Sequence, residues 1–371
     1  MNPFLIKTYH SPQYFCDRDE ETEKIMSALD NGRDIMLYSL RRMGKTGLIQ
    51  HLSYHYKEKK DVEFIYFDIY HSVQLSDFVN LFGTAVIKAL DKTATKIFKR
   101  INSFVKSVMP SVQVNPITME TEINFQIQNE EDAKVSLAQI FDLIVISKKK
   151  IIIAIDEFQQ ILEYPEKNVE ALLRTYIQKI NNISVIYSGS SKHLLTAMFA
   201  TKSRPFYQSA QPLELGPVEE KRYVDFIHKN FVSNGKTIEK EDIISFVHIL
   251  RRHTYYIQYL CNKLYASGRR KINPELINYT IFDILKEHEG YYFRFRDLMT
   301  EQQFQLLKAI AKEDKIEKPT ASVFLKKHKL PAASTISSAI MSLIKKEFIY
   351  KDRNEYFVYD VFFSLWLKSV Y

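Results

Sequence analysis

Glycine, proline and cysteine are all scarce in this sequence. Its 371 residues include 9 glycines, 11 prolines and 2 cysteines. So little glycine and proline excludes a collagen-like chain and argues against long low-complexity segments. The two cysteines, Cys16 and Cys261, have neither the spacing of a metal site nor the number needed for a disulfide framework. The length then predicts a globular protein of two or three domains.

Long hydrophobic runs are also absent. The longest, such as IIIAI and FDLIVI, are far too short to cross a bilayer, and the opening MNPFLIKTYHSP lacks the apolar core of a signal peptide. We therefore expect a cytoplasmic protein with no membrane partner. The basic excess is small, 52 Lys and Arg against 44 Asp and Glu, for a net charge of +8. That charge permits contact with nucleic acid without requiring it.

The first 216 residues alternate between apolar, strand-like runs and helical segments. Because these runs are apolar on both faces, they predict a parallel sheet covered by helices on both sides. An insertion at 93–132 departs from this pattern and is predicted to hold a basic amphipathic helix and a hairpin. The predicted strands are 34–39, 62–70, 148–158, 183–190 and 211–216.

The pattern changes after Pro217. Residues 217–297 carry apolar residues at helical spacing throughout, which predicts a helical lid domain. Residues 298–371 read as three helices followed by two short strands around a polar turn, which is the plan of a winged helix. The sequence therefore predicts an α/β domain at 1–216, a helical lid at 217–297 and a winged helix at 298–371.

The segment SLRRMGKTGLI, residues 39–49, follows the first predicted strand and leads into a helix. A turn in this place can cradle phosphate oxygens with backbone N–H groups at the start of the helix, while a lysine reaches the outer phosphates and a hydroxyl holds Mg²⁺. Gly44, Lys45 and Thr46 supply the glycine, the lysine and the hydroxyl. Ser39 stands where the usual pattern has glycine. Because serine is small, we expect nucleotide binding to survive this change.

A second motif, IIIAIDEF, is an apolar strand that ends in two acids. Asp156 is placed to organise Mg²⁺, and Glu157 to polarise an attacking water. Each motif alone is weak, since GKT also begins surface helices and DE also ends solvated strands. Together, each in its proper strand context, they predict a site for ATP and Mg²⁺. On the next strand, Ser188 or Ser190 is a candidate contact to the γ-phosphate, with an ordinary strand-end turn as the equal alternative.

With these residues the chain resembles the archaeal-type ATPase family, a branch of the signal-transducing STAND P-loop ATPases related to AAA+ proteins. The resemblance covers nearly the whole chain, and its most specific parts are RRMGKT and IDEFQ, which includes Gln159. It implies ATP binding and hydrolysis by Lys45, Thr46, Asp156 and Glu157. The remaining loop residues are expected to bind the nucleotide: Ser39, Arg41, Arg42, Met43, Gly44 and Gly47.

The resemblance also implies roles outside the loop. Phe15 and Arg18 are expected beside the nucleotide base or ribose, and Pro217 at the hinge into the lid. Arg252 is a candidate phosphate sensor. Many relatives carry a Gly-Arg pair where this chain has Gln208-Ser209, so the source of any arginine finger stays open.

Two interpretations of the predicted winged helix stay open. Its third helix carries serines and a threonine and ends in lysines, which suits contact with a DNA backbone but lacks the arginines and amides that read bases. It suits equally a packing module that clamps the ADP state of a switch protein. The leading hypothesis is an ATP-driven switch or motor that moves the winged helix. The alternative is a DNA-binding regulator or protein-recruiting scaffold in which nucleotide is mainly structural, and oligomers fit either.

Overall fold

The computed structural model describes residues 1–7, 9–90, 110–114, 121–125 and 127–371. The chain divides into two compact units. One, called here the sheet unit, is Thr8–Val218; the other, the helical unit, joins Met1–Lys7 to Glu219–Tyr371. Residues 219–371, which include the predicted winged helix and nearly all of the predicted lid, thus lie in one unit, and the two predicted domain boundaries stay predictions.

The sheet unit is built around a five-stranded parallel sheet that contains all five predicted strands. The order across this sheet is β2-β5-β6-β1-β7, so β6 lies between the phosphate-loop strand β1 and the acidic strand β5. The predicted hairpin is confirmed as the antiparallel pair β3 and β4, whereas the predicted basic helix at 96–109 falls outside the described residues. The strands are β1 (Ile35–Tyr38), β2 (Val62–Asp68), β3 (Pro110–Val114), β4 (Thr121–Phe125), β5 (Lys150–Asp156), β6 (Ile183–Gly189) and β7 (Gln211–Glu214).

Helices cover both faces of this sheet, as predicted. The apolar cluster on one face includes residues of α3 to α6, and the cluster on the other face includes residues of α1 and α2. The helices described in this unit are α1 (Asp19–Asp30), α2 (Lys45–Tyr56), α3 (Leu75–Leu90), α4 (Glu130–Ser147), α5 (Val169–Gln178) and α6 (Lys192–Ala200).

Strand β5 contributes to both cores. Ile153 and Ile155 pack into the α3–α6 cluster, while Ile152 and Ala154 pack into the α1–α2 cluster. This alternation follows from the pleat, which points successive side chains to opposite faces. Each buried isoleucine contributes about 1.5–3 kcal/mol. The strand is therefore a firm base for the acid at its end.

The helical unit contains a helical part and then the winged helix. The three helices and two-stranded ribbon predicted for the winged helix are confirmed, and they are followed by a further helix, α14, which was not predicted. None of the helices in the described ranges is long and apolar enough to span a membrane. The elements are α7 (Glu220–Val232), α8 (Lys240–Ile249), α9 (Thr254–Ala266), α10 (Pro274–Asp297), α11 (Glu301–Lys312), α12 (Ser322–Lys327), α13 (Ala333–Lys345), β8 (Ile349–Asp352), β9 (Glu355–Val358) and α14 (Val361–Val370).

The first seven residues are anchored in the helical unit. Phe4 is fully buried, and its ring centroid lies 4.6 Å from that of Phe231 on α7. Asn262 on α9 donates its amide to the Phe4 carbonyl at 2.7 Å, and Asn2 donates to the Asn262 carbonyl at 3.0 Å. An apolar ring and two hydrogen bonds thus fix this segment to α7 and α9.

Arg251, in the turn between α8 and α9, links the helical part to the winged helix. Its guanidinium donates to the carbonyl oxygen of Val358 at 2.8 Å, to the Ser364 hydroxyl at 2.8 Å and to the carbonyl oxygen of Asp314 at 3.3 Å. It also lies 5.6 Å from the Phe357 ring centroid. Burial lowers the pKa of this guanidinium. The side chain therefore joins the two parts through two backbone carbonyl oxygens, a hydroxyl and an aromatic ring.

Candidate functional site

The phosphate loop spans the gap between the end of β1 and the start of α2. Two of its residues have left-handed backbone conformations, Arg42 with φ 67° and Gly44 with φ 96°. Ser39 is not among the positive-φ residues, so its position does not require glycine. Its buried hydroxyl donates to the Leu40 carbonyl oxygen at 2.7 Å. A small polar side chain can therefore take the position where the chain leaves β1.

Lys45 and Thr46 occupy the first turn of α2. The Lys45 side chain is buried at 6% exposure, and burial lowers the pKa of its ammonium group, an effect that Glu157 and Asp156 oppose. No acidic residue lies in the first turn of this helix. The positive amino-terminal end of α2 and the buried ammonium group of Lys45 thus lie together, and both favour the binding of an anion.

Asp156 joins the loop to two strands. It is the last residue of β5, and its Oδ2 accepts a hydrogen bond from the Thr46 hydroxyl at 2.8 Å. Its Oδ1 accepts from the Ser188 hydroxyl on β6 at 2.7 Å. Carboxylate and hydroxyl oxygens side by side are hard ligands of the kind that Mg²⁺ prefers. The predicted metal ligands Thr46 and Asp156 are therefore adjacent, and Ser188 contacts the aspartate.

Glu157 follows directly in a left-handed conformation, with φ 55°. Its Oε2 accepts from Gln159 Nε2 at 2.6 Å, from the Ser190 hydroxyl at 2.8 Å and from the Ser190 N–H at 3.2 Å. Burial would raise the pKa of this carboxyl, but the hydrogen bond from Gln159, the charge of Lys45 and the hydrogen bonds from Ser190 outweigh burial and lower it. Glu157 is therefore held as the carboxylate. The sequence indicated no role for Gln159, whose partner is visible only in the folded chain.

Arg18 is a structural link beside the loop. It is 4% exposed and donates to the Gly216 carbonyl oxygen at 2.7 Å, to Glu21 at 2.8 Å and, at 3.5 Å, to the Met43 carbonyl oxygen. It therefore ties the loop to Gly216, two residues after the end of β7. The predicted contact of Arg18 with a nucleotide stays a prediction.

Phe15 packs beside α2. Its ring stacks on His51 with centroids 4.4 Å apart, and a Cβ on Gly47 would lie 3.5 Å from it. The Phe15 ring therefore lies beside the first turn of the helix, at a distance where a Cβ on residue 47 would make an ordinary contact. Its predicted place beside the base also stays a prediction.

The other predicted site residues are more dispersed. Arg41 lies near the acidic pair, with its Nε 3.4 Å from the Ser190 hydroxyl and its guanidinium 5.8 Å from the Tyr70 ring centroid. Pro217 follows β7 at the end of the sheet unit. Arg252 belongs to the helical unit, in the left-handed turn before α9, with φ 56°. The roles expected of these three residues stay predictions.

The residues at this edge of the sheet fit a nucleoside triphosphate with its magnesium ion. The left-handed glycine, the helix start and the buried lysine suit phosphate oxygens. The oxygen pair of Thr46 and Asp156 suits a divalent cation that keeps part of its water shell. A buried carboxylate, Glu157, lies next in the chain and is available as a base.

Comparisons with known proteins give consistent results. A sequence profile described as an ATPase domain predominantly from Archaea matches residues 15–260, and a probable winged helix domain matches residues 290–369. A search of curated proteins gives no match.

Solved structures that resemble the whole chain include the following three. The Walker-type ATPase of Pyrococcus abyssi has a TM-score of 0.67 at 17% identity, covering 99% of each chain. The ORC2 protein of Aeropyrum pernix, solved as ADPNP and ADP complexes, has a TM-score of 0.56 at 12% identity, covering 99% of this chain and 98% of its own. ORC1 of the same organism, solved with DNA, has a TM-score of 0.56 at 11% identity, covering 100% of this chain and 96% of its own.

At these identities the structural likeness concerns the fold, and it confirms the predicted P-loop sheet with a C-terminal winged helix. The ATPase profile covers more than half of the chain, and its range includes the loop and both acids described above. The family and its fold are those of nucleotide-binding ATPases. The chain therefore belongs to the family of ATPase domains found predominantly in Archaea.

Proposed function

We propose that the protein hydrolyses ATP with Mg²⁺ and uses the ATP–ADP cycle as a switch that repositions its helical unit. The observation that carries this proposal is the meeting of Lys45, Thr46, Asp156 and Glu157 at one edge of the sheet. Lys45 and the amides beside Gly44 would bind phosphate oxygens, and Thr46 with Asp156 would hold the metal ion. Magnesium bound there would offset the phosphate charge that grows during transfer.

In this mechanism Glu157 accepts a proton from the attacking water. Its lowered pKa keeps it ionised at neutral pH, and its neighbour Asp156 is already engaged by Thr46 and Ser188. The two acids therefore have separate tasks. One organises the metal site and the other remains a base.

The winged helix belongs to the part that the switch moves. Arg251 fixes it to the turn between α8 and α9, so we propose that the lid and winged helix respond together. A switch in which these parts move as one is compatible with the STAND class. Deletion of residues 298–371 should then change the rate of ATP turnover, and comparison with the full chain measures the coupling.

Two substitutions test the proposal. Lys45→Ala should abolish ATP binding in a fluorescence titration, with Lys24→Ala, an exposed lysine of α1, as the control. Glu157→Gln should keep ATP binding and lower hydrolysis by about 100-fold or more, the usual size of a general-base contribution. Glu163→Gln is its control, because Glu163 is exposed. Hydrolysis at the parental rate by the Glu157 variant would show that the base is assigned wrongly.

DNA binding is the second candidate function, favoured by the surface of α13. Ser334, Ser337 and Ser338 are exposed along one face of this helix, and Lys345 at its end is also exposed. Arg353, in the turn between β8 and β9, is exposed as well. Small hydroxyls with flanking cations suit phosphate contacts.

The DNA proposal is tested by measuring duplex affinity at several salt concentrations. Binding through backbone contacts should weaken steeply as salt rises, and Lys345→Glu with Arg353→Glu should weaken it further. Absence of binding at low salt would remove this candidate. The winged helix would then be interpreted as a packing module that clamps the ADP state. Stimulation of ATP hydrolysis by DNA would join the two proposals.

A further inference from the structure

We propose that Gln159 and Ser190 act as a clamp that positions Glu157 for hydrolysis, and that Gly189 is required because it leaves room for the clamp. These three are positioning residues, since they act on the base and not on the reacting atoms. The inference rests on the proposed function and adds to it the residues that set the geometry of the base.

The clamp engages one carboxylate oxygen only. Three donors converge on Glu157 Oε2, one from Gln159 and two from Ser190, at 2.6 to 3.2 Å. Three donors more than fill the roughly two lone-pair sites of one carboxylate oxygen. Within the described part of the chain no hydrogen bond engages Oε1. The clamp therefore fixes the carboxylate at one oxygen and leaves the other to accept a proton from water.

The space for this clamp comes from the neighbouring strand. A Cβ at Gly189 would lie 2.1 Å from Gln159 Oε1, a separation that real Cβ atoms essentially never show, and a tight 3.2 Å from its Cδ. Any side chain at Gly189 would therefore displace the amide of Gln159 from the carboxylate. The end of β6 thus contributes both an empty place at Gly189 and, in the next residue, a donor at Ser190.

The orientation of the Gln159 amide is costly to the fold. Its Oε1 is buried and has no hydrogen-bond partner among the described residues, while its Nε2 donates to Glu157. Burial of an unpaired acceptor is unfavourable, and Glu157 itself is in a left-handed conformation. Both unfavourable features serve the placement of a single carboxylate, which is the pattern expected where geometry is needed for chemistry.

The first experiment compares steady-state ATP hydrolysis by Gln159→Ala, Ser190→Ala and Gly189→Ala with the parent. Gly290→Ala is the matched control, because a Cβ at Gly290 meets nothing within 4 Å. The clamp variants should lose about 10- to 100-fold in kcat with KM for ATP nearly unchanged, because orientation of the base is lost and binding is not. The Gly290 variant should match the parent.

A double variant tests the space argument directly. The Gly189→Ala substitution should lower kcat by displacing Gln159, so it should have little further effect once Gln159 is already alanine. Additive losses in Gln159→Ala/Gly189→Ala would overturn the assigned role of Gly189. If the parent hydrolyses ATP and the clamp variants equal the Gly290 control, the clamp alone fails; if the parent does not hydrolyse ATP, the proposed function fails and the clamp fails with it.

Discussion

Arg18 in the sheet unit and Arg251 in the helical unit each link separate parts of their own unit through hydrogen bonds to backbone carbonyl oxygens. Arg18 and Arg251 both have left-handed backbones, with φ 83° and 52°, and both donate to backbone carbonyl oxygens. Arg18 reaches the phosphate loop at Met43 and the end of the sheet at Gly216, whereas Arg251 reaches the winged helix at Val358. The arginine link in the sheet unit therefore lies beside the candidate nucleotide site. The link in the helical unit joins its helical part to the winged helix. Changes at Arg18 should accordingly affect ATP affinity as well as stability, whereas changes at Arg251 should affect stability alone.

The largest effect is expected at the acid that organises the metal site. Asp156→Asn keeps the shape of the side chain but removes the charge next to Thr46. We expect hydrolysis to fall by about 100-fold or more, because the charge stabilisation that a metal ion supplies is worth several kcal/mol. ATP turnover at increasing Mg²⁺ measures it, with exposed Asp142→Asn as control. Parental turnover in the Asp156 variant would remove this residue from the metal site.

A smaller effect, and one on stability, is expected in the helical unit. Arg251→Ala removes the hydrogen bonds to Val358, Asp314 and Ser364 and the one to Tyr350, and leaves the Val358 carbonyl oxygen without this donor. The free energy of unfolding should fall by about 2–4 kcal/mol. Denaturant unfolding measures it, with exposed Arg294→Ala as control. ATP affinity of the Arg251 variant should remain parental, and a large loss of affinity would break the contrast between the units.

Arg18→Lys should produce a moderate effect on both properties. Lysine keeps the charge but loses the planar fork that reaches Glu21 and the Gly216 carbonyl oxygen. We expect a loss of about 1–2 kcal/mol in stability and a measurable fall in ATP affinity, since the loop is released at Met43. Thermal unfolding with and without ATP measures both, and exposed Arg33→Lys is the control. Unchanged affinity would make Arg18 equivalent to Arg251.

The smallest effect concerns pH and is confined to the sheet unit. Burial and the nearby His55 lower the pKa of His51 to about 4, from an ordinary 6.5. The unfolded chain then binds a proton that the folded chain does not, so the stability contribution is complete above pH 6.5 and is lost as pH falls towards 4. We expect about 1 kcal/mol less stability at pH 5.5 than at pH 7 from this group.

The comparison of His51→Gln with the parent isolates this contribution. The variant should lose that part of the pH dependence, while exposed His193→Gln on α6 should retain it. Unfolding midpoints at pH 7 and pH 5.5 measure the difference. If the unfolding midpoint changes equally between pH 7 and pH 5.5 in the His51 variant and in the parent, His51 is not the source of this pH dependence.

The parts of the fold that were predictable depend on local pattern. The apolar run ending at Asp156 predicts a buried strand, because a strand covered on both faces needs no polar alternation. The strand order was not predictable in the same way, because pairing joins segments far apart in the chain. Helix α14 was not predicted, because its sequence, VFFSLWLKSV, is a short and mostly apolar run, which fits a buried strand as well as a buried helix.

The residues of the candidate site also divide into those that a local motif predicts and those that only the fold brings together. Lys45 and Asp156 belong to short motifs that name their residues, whereas the partner of Gln159 depends on Gly189 and Ser190 in another strand and the turn after it. The links of Arg18 and Arg251 join residues 198 and 107 positions apart. No local pattern contains such a separation, so these links appear only in the folded chain.

The anchoring of Phe4 between α7 and α9 has a practical consequence for dissecting the molecule. Because Met1–Lys7 belongs to the helical unit, the backbone passes between the two units both near residue 8 and near residue 218. After a single protease cut near 218, the amino-terminal fragment would still hold the other through its Phe4 segment, and a second cut near residue 8 would release that hold. A fragment starting at residue 219 would lack the Phe4 ring, uncovering an apolar surface at Phe231 that invites self-association.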